Sequence, residues 1–449
     1  MIAPATGKAF AVLFQDLRRW SVNSFFTIRW NWPIGSIQPL ASALERKLVS
    51  VDKSTTDFRD IVLVSLHFDG EMEPRDTSAE GFIGRLFVAK QGDVIYSKID
   101  VRHGAIGVVP DNFSHVAVSS EFPVYRVRPS VALPGYIKLL FRTDAFRRKI
   151  NSLISGASGR KRVQPSDLEG IEVPLPSIDI QRSIVAFWRK AEAAVDDAKE
   201  RLSEPVNALN RRLLGLYGKK ASSDVIRSRF FALDFKDLAA WDVKSGRASA
   251  FRLACPSFRA MGEFIEEATE PVRPFDEPEK EWPVYGVNNK EGVFLNSHQK
   301  GAEFNAAYKR IRKDWFFHNP TRCNVGSLGI VPEVPEDAIT SPEYQVWRVK
   351  DGLREPLLPG FVAVLIQTPF FLDLVQFNRV GAVKQRMYTE NLMQVRIPYL
   401  PLDEQRRYAD ARTAALADLA KAKTRLETAR REVGEMILGT RNAGDDSGL

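Results

Sequence analysis

The chain holds two collinear copies of one pattern, and that duplication restricts it to folds built from two like halves. Phe14, Asp16, Leu17, Trp20 and Val22 return 221 positions later as Phe235, Asp237, Leu238, Trp241 and Val243. Ile106-Gly107-Val108-Val109-Pro110 returns as Leu328-Gly329-Ile330-Val331-Pro332. Ser119, Glu121, Val124, Arg126 and Val127 return as Ser341, Glu343, Val346, Arg348 and Val349, and Pro134-Gly135-Tyr136 as Pro359-Gly360-Phe361. Pro174, Asp179, Gln181 and Arg182 return as Pro398, Asp403, Gln405 and Arg406. Units of this size are domains rather than solenoid repeats, which run about 20–50 residues.

The chain has 449 residues, enough for two to four domains of about 100–200 residues each. Each half can therefore bury a core of its own. No stretch approaches the roughly 20 apolar residues of a membrane span, and the first residues lack the features of a signal peptide. No membrane partner is expected. Two cysteines, Cys255 and Cys323, exclude a disulfide framework and a multi-cysteine zinc site. They read as buried thiols in a reducing compartment, hence a cytoplasmic location. The net charge of +8 suits a polyanionic partner such as DNA, because phosphate contacts supply much of nucleic-acid affinity.

The expected fold class is α/β (α+β), with the same two parts in each half. Residues 1–176 and 221–400 read as mixed domains. Short β-like runs lie at 60–66, 93–99 and 124–127, and again at 315–318 and 345–349. Gly and Pro punctuate them, and helical stretches follow at 134–153 and 358–377. Residues 177–220 and 401–439 read as long helices that start after Pro-rich junctions, and 440–449 as a disordered tail. The first helix carries a heptad seam of Ile184, Trp188, Ala191, Val195, Ala198 and Leu202. Pro205 interrupts it, with a fresh start capped by Ser203-Glu204, and Leu209, Leu213 and Leu216 continue the stripe. The second carries Leu416, Leu419, Leu426, Val433 and Ile437, with Lys423 and Arg430 on the same stripe. The two helices are expected to pair as an antiparallel coiled coil with pseudo-two-fold symmetry.

Catalytic signatures are scarce. The five histidines form no H-E-x-x-H pair, and neither a P-loop nor a G-x-S-x-G elbow occurs. His318-Asn319-Pro320-Thr321 brushes against the Asn-Pro-Pro-aromatic motif of amino-methyltransferases but lacks the second proline and the aromatic. A G-x-x-G lies at Gly104–Gly107 and again at Gly326–Gly329; flanking strand-like runs make it a glycine turn rather than a KH-type clamp.

Polar residues gather near those turns. Copy one has Lys98, Asp100, Arg102 and His103; copy two has Asn319, Arg322 and Asn324. A second loop carries Arg160, Lys161, Arg162 and Gln164, answered by Lys384, Gln385 and Arg386. Arg and Lys suit guanine edges or phosphates, and Asn and Gln suit adenine. The apolar framework recurs while these residues differ, the pattern of one scaffold reading two sequences.

With its junctions Val173-Pro174-Leu175-Pro176-Ser177-Ile178-Asp179-Ile180-Gln181-Arg182 and Ile397-Pro398-Tyr399-Leu400-Pro401-Leu402-Asp403-Glu404-Gln405-Arg406, the chain resembles the specificity subunit of type I restriction–modification systems. The stretch from Arg312 through Asn319-Pro320 to Gly329 is similar to a second family signature. Copy one departs from the Glu-Gln pair, with Ile180-Gln181. The resemblance implies a non-catalytic subunit whose two target-recognition domains each bind half of a split double-stranded DNA site. It implies two methyltransferase subunits and endonuclease/translocase subunits as partners, with S-adenosylmethionine, ATP and magnesium held by those partners and no cofactor bound here. The alternatives are a DNA-recognition module of a different defence or methylation complex, and a helical scaffold that binds no DNA.

Overall fold

The structure is a computed structural model that describes residues 30–52, 61–76, 82–152, 162–217, 234–235, 258–380 and 385–443. The first recurring motif (Phe14 to Val22), the tail beyond Ala443 and Cys255 lie outside these residues. The chain forms two compact units, 1–195 with 422–449, and 196–421. The fold is mixed α/β with two long helices, Ile178–Tyr217 and Leu402–Leu438.

In the first unit one four-stranded sheet has the order Leu44–Lys47, Val124–Val127, Val94–Tyr96, Ile106–Val108. In the second unit the order is Ile265–Glu267, Gln345–Val349, Phe316–His318, Leu328–Ile330. The register is shared as well. Val94 faces Val108 and Tyr125, and Phe316 faces Ile330 and Trp347. The other sheet repeats too: Met72–Pro74, Val62–Leu66, His115–Ser119, Leu86–Lys90 against Gly292–Lys300, Glu281–Asn288, Ile339–Thr340, Tyr308–Arg310. The second unit adds Pro271–Val272 at its edge. Each of these sheets has one parallel pair, Val62 beside Val116 and Val284 beside Ile339. Two units with this order, register and mixed polarity share one fold.

The interiors are not identical. Lys47 and Asp93 form a buried ion pair at 2.6 Å in the first unit, and Asp93 also accepts from the Lys90 amide. At the equivalent positions the second unit has Ala268 and Trp315, members of one apolar cluster. The same frame thus closes over a paired charge or over apolar volume, two solutions of similar stability when each is complete.

The helical stretches expected at 134–153 and 358–377 are each two helices. They are Pro134–Arg142 then Asp144–Ser152, and Pro359–Leu365 then Pro369–Asn378. A threonine makes the break in both. Thr143 Oγ1 donates to Leu140 O and accepts from Phe146 N, and Thr368 Oγ1 donates to Leu365 O and accepts from Phe371 N. The hydroxyl closes one helix and caps the next. Among the described residues no single helix is long and apolar enough to cross a membrane.

Each long helix is tied to its domain by a buried glutamine. Gln181 Oε1 accepts from Leu133 N (2.9 Å), and its Nε2 donates to Val131 O (2.9 Å) and Pro176 O (2.8 Å). Gln405 Oε1 accepts from Leu358 N (2.9 Å), and its Nε2 donates to Pro356 O (3.2 Å) and Leu400 O (2.9 Å). Leu133 and Leu358 stand at helix N-caps and have no capping side chain of their own. The amide does that work from across the domain.

Within each unit the helices run antiparallel. In the first unit Ile184 shares a core with Val433, Met436 and Ile437, with Trp188 packed against it. In the second, Arg212 pairs with Glu404 at 2.7 Å, and Leu209 and Leu213 are buried near Tyr408. On the first helix Ile184, Ala191, Val195 and Ala198 are buried, while Trp188 and Leu202 are half-buried. Pro205 does not interrupt this helix, which is continuous through it. A proline costs the bond to the preceding turn, but this ring is buried on the seam, and its packing offsets that loss.

On the second helix the stripe differs in part from the expected one. Leu416 is exposed, as are Lys423 and Arg430, and Leu216 on the first helix is exposed too. The expected Val433 and Ile437 are buried, and the buried row is Ala415, Ala422, Ala429, Val433 and Met436, with Leu419 and Leu426 half-buried between them. These alternate by three and four, a heptad seam whose core is largely alanine. Leu419, Leu426 and Val433 lie on this seam as expected; Leu416 falls beside it, and the alanines carry too little hydrophobic signal to mark it. Leu416→Ala should therefore change thermal stability by no more than about 0.5 kcal/mol. Ala429→Leu should cost about 1–3 kcal/mol by overpacking. Melting curves that rank the two the other way would reject this seam.

Candidate nucleic-acid interface

In both units a buried central strand runs into a 3-10 turn, Val101–His103 or Cys323–Val325. Gly104 (φ +108°) and Gly326 (φ +89°) close the turns in left-handed backbone, where a side chain is strained. A Cβ on Gly104 would also lie 2.0 Å from Phe68 O. The G-x-x-G is thus a turn, as its strand-like flanks indicate. The backbone bonds match: Ser97 N to Ala105 O (2.9 Å) with Asn319 N to Ser327 O (2.9 Å), and Ala105 N to Asp100 O (3.2 Å) with Ser327 N to Arg322 O (3.2 Å). Asp100 is therefore equivalent to Arg322, Arg102 to Asn324, and His103 to Val325.

The second loop meets the first in each unit through one repeated contact. Val163 N donates to Lys98 O (2.9 Å), and Met387 N donates to Pro320 O (2.8 Å). A buried side chain from the central strand fixes the carbonyl of the same residue. Tyr96 Oη donates to Val163 O (3.2 Å), and His318 Nε2 lies 2.8 Å from Met387 O. His318 Nδ1 accepts from Trp347 Nε1 at 3.2 Å, so Nε2 carries the proton and donates. Desolvation, partly opposed by that hydrogen bond, holds the His318 pKa down at about 4, so the ring is neutral. The resemblance of His318-Asn319-Pro320-Thr321 to a methyltransferase motif ends here: the histidine is a core strut. Burial likewise raises the Tyr96 hydroxyl and pushes the Cys323 thiol up to about 12.

Several of the polar residues singled out in the sequence are occupied locally. Lys98 Nζ donates to Ser120 O (2.7 Å), and Arg162 pairs with Glu121 at 3.3 Å. That exposed pair contributes little to stability. Asn319 Oδ1 accepts from Thr321 N and Oγ1, and Arg386 donates to Tyr388 Oη. His103 is exposed and packs at 5.7 Å from the Phe68 ring. Arg322 is exposed; Arg102, Asn324 and Gln385 are half-buried. Arg160, Lys161 and Lys384 lie outside the described residues.

Two arginines not picked out in the sequence brace the loops. Arg142 Nη1 donates to Phe68 O (3.3 Å) and Gly104 O (3.1 Å), and Nη2 to Ile106 O. Burial lowers its pKa. Arg379 Nη2 donates to Thr321 O (3.1 Å) and Gln385 O (2.8 Å), so one guanidinium spans both loops of the second unit. Their positions at helix ends are the only sequence signal, and many surface arginines share it. A cavity of 950 Å³ in the first unit is lined by both acids (Glu71, Glu192) and bases (Lys138, Arg430), so its walls have no uniform sign. Among the described residues no group of His, Cys, Asp and Glu could hold a metal ion.

In each unit the 3-10 turn and the described end of the second loop thus adjoin on a buried frame, with matching backbone bonds, and the turn residues differ between the units. No protein-family model matches the chain, and no curated protein sequence does. Solved structures do. The HsdS subunit from Thermoanaerobacter tengcongensis is 18% identical, with 91% of this chain and 96% of that chain covered and a TM-score of 0.30. A chain from a structure on complex assembly and conformational transition of the type I R-M system is 17% identical over 91% and 97%, with a TM-score of 0.37. The type I restriction-modification S subunit from M. genitalium is 12% identical over 92% and 97%, with a TM-score of 0.41, so the chain is similar over most of its length to specificity subunits of that class.

Proposed function

We propose that this chain is the sequence-reading subunit of a type I restriction–modification complex. It has no chemistry of its own. Each mixed domain reads one half of a two-part double-stranded DNA target, and the chain directs adenine methylation and restriction by two methyltransferase subunits and the endonuclease/translocase subunits. Those partners hold S-adenosylmethionine, ATP and magnesium, and the complex works in the cytoplasm. The observation that carries this reading is the repeated loop pair: one backbone contact joins the same two loops in both units, while the residues on the first loop differ, Asp100, Arg102 and His103 against Arg322, Asn324 and Val325. A scaffold kept twice with its exposed chemistry changed is what reading two different sequences requires.

The test is modular exchange. Residues 1–176 are replaced by the corresponding domain of another such subunit, and methylated adenines are mapped in a host carrying the partner subunits. One half of the methylated motif should change completely and the other stay the same. If both halves changed, or neither did, the assignment of one domain to each half would be lost.

A further inference from the structure

The matched turns place two different bidentate side chains at one position. Arg102 is the middle residue of Val101–His103, and Asn324 is the middle residue of Cys323–Val325. Arg102 is half-buried, and among the described residues its Nε is buried without a hydrogen-bond acceptor, as is that of Arg396; such a group is one that native proteins usually satisfy. Neighbouring polar side chains are taken up locally: Lys98 by Ser120, Asn319 by Thr321. In the second loop Arg162 and Arg386 are also engaged locally, by Glu121 and Tyr388, and here the two units carry the same residue. Arg162 and Arg386 occupy equivalent places, each one residue before the shared contact at Val163 and Met387, and both are arginine. A residue kept in both units suits the phosphate backbone, which is the same at any sequence. A residue that differs suits a base.

We infer that Arg102 and Asn324 are equivalent base-reading residues, Arg102 for a guanine in the half-site of the first unit and Asn324 for an adenine in that of the second. The assignment rests on the proposed function and adds the identity of one base in each half. Arginine matches the O6 and N7 acceptors of guanine with two parallel donors; asparagine matches the N6 donor and N7 acceptor of adenine. The flanking residues agree. Val325, 52% exposed beside Asn324, is an apolar group of the kind that lies against thymine methyls. The first unit has His103 in its place.

The test maps methylation in the native host with the chromosomal copy replaced by Arg102→Asn, Arg102→Lys or Asn324→Arg. Arg102→Asn should lower the preference for guanine at one position of one half-site by about 5- to 150-fold, in favour of adenine, and leave the other half untouched. Arg102→Lys should keep guanine, since lysine also reaches O6 and N7; this variant separates misfolding from misreading. Asn324→Arg should exchange adenine for guanine in the other half only. An unchanged motif in Arg102→Asn overturns the inference, and so does methylation that weakens equally at every sequence, which marks a phosphate contact. A wild-type host with no two-part motif dependent on this chain defeats the functional reading as well, which distinguishes the two failures.

Discussion

Gln405→Leu is expected to lower the stability of its unit by about 3–5 kcal/mol, a loss at the far end of what one substitution does. The side chain is fully buried, and leucine has nearly its volume, so no cavity term enters. The loss is of hydrogen bonds alone. Leu358 N, Pro356 O and Leu400 O are each left facing a methyl group. A buried backbone group without a partner costs about 1–3 kcal/mol. Gln181→Leu removes the equivalent three bonds in the first unit and should cost as much. Denaturant titration followed by far-ultraviolet circular dichroism measures both. A loss below about 1 kcal/mol would mean that water or a backbone shift replaces the amide and that the glutamine is not the tie between helix and domain.

The second large effect depends on pH and comes from His318. Its folded pKa, held down at about 4 by burial, lies below the ordinary 6.5. Between those values the unfolded chain binds a proton that the folded unit refuses. Stability from the neutral ring is thus fully present above pH 6.5 and is lost as pH falls towards 4. The full loss is about 3 kcal/mol. His318→Gln keeps an amide donor for Met387 O and cannot titrate. Stability of the wild type minus that of the variant should fall by that amount from pH 7 to pH 4, with the carboxylates common to both cancelling. Parallel curves for the two proteins would show that the ring is not buried neutral.

The doubled architecture is legible in the sequence because duplication fixes it without any propensity argument. The offset that relates Ile106 to Leu328 also relates the strands that carry them. Where the signal is strong, as at the Gly104 and Gly326 turns, local structure follows it. Where the signal is weak, neighbouring choices compete. The alanines of the seam lose to Leu416 because a methyl group scores low on any hydrophobic scale, although it packs closest between helices. Pro205 reads as a break by its intrinsic penalty, but tertiary packing overrides propensity. The threonine breaks at Thr143 and Thr368 look like ordinary helix residues until the hydroxyl is seen between two turns.

Composition marks the two loops but not their adjacency. Nothing in the residues near Lys98 and Val163 announces a bond between them; it follows from the strand that carries Tyr96. Arg142 and Arg379 escape for the same reason, since a brace is defined by the carbonyls it meets. The division between Arg102, with its orphaned Nε, and Lys98, with its bond to Ser120, is likewise tertiary information.

The interior difference at Lys47 and Asp93 bears on how the two halves can be shuffled. A carboxylate moved alone into the place of Trp315 would sit among Ala268, Phe317 and Val331, and the nearby Arg312 is already paired with Glu270; a lysine moved alone into the place of Ala268 would lack its carboxylate. The residues at these two positions are not exchangeable one at a time. Grafts between the halves must carry such partners together, so whole modules are the natural pieces for recombination in this chain, and the surface loops are the part free to vary within them.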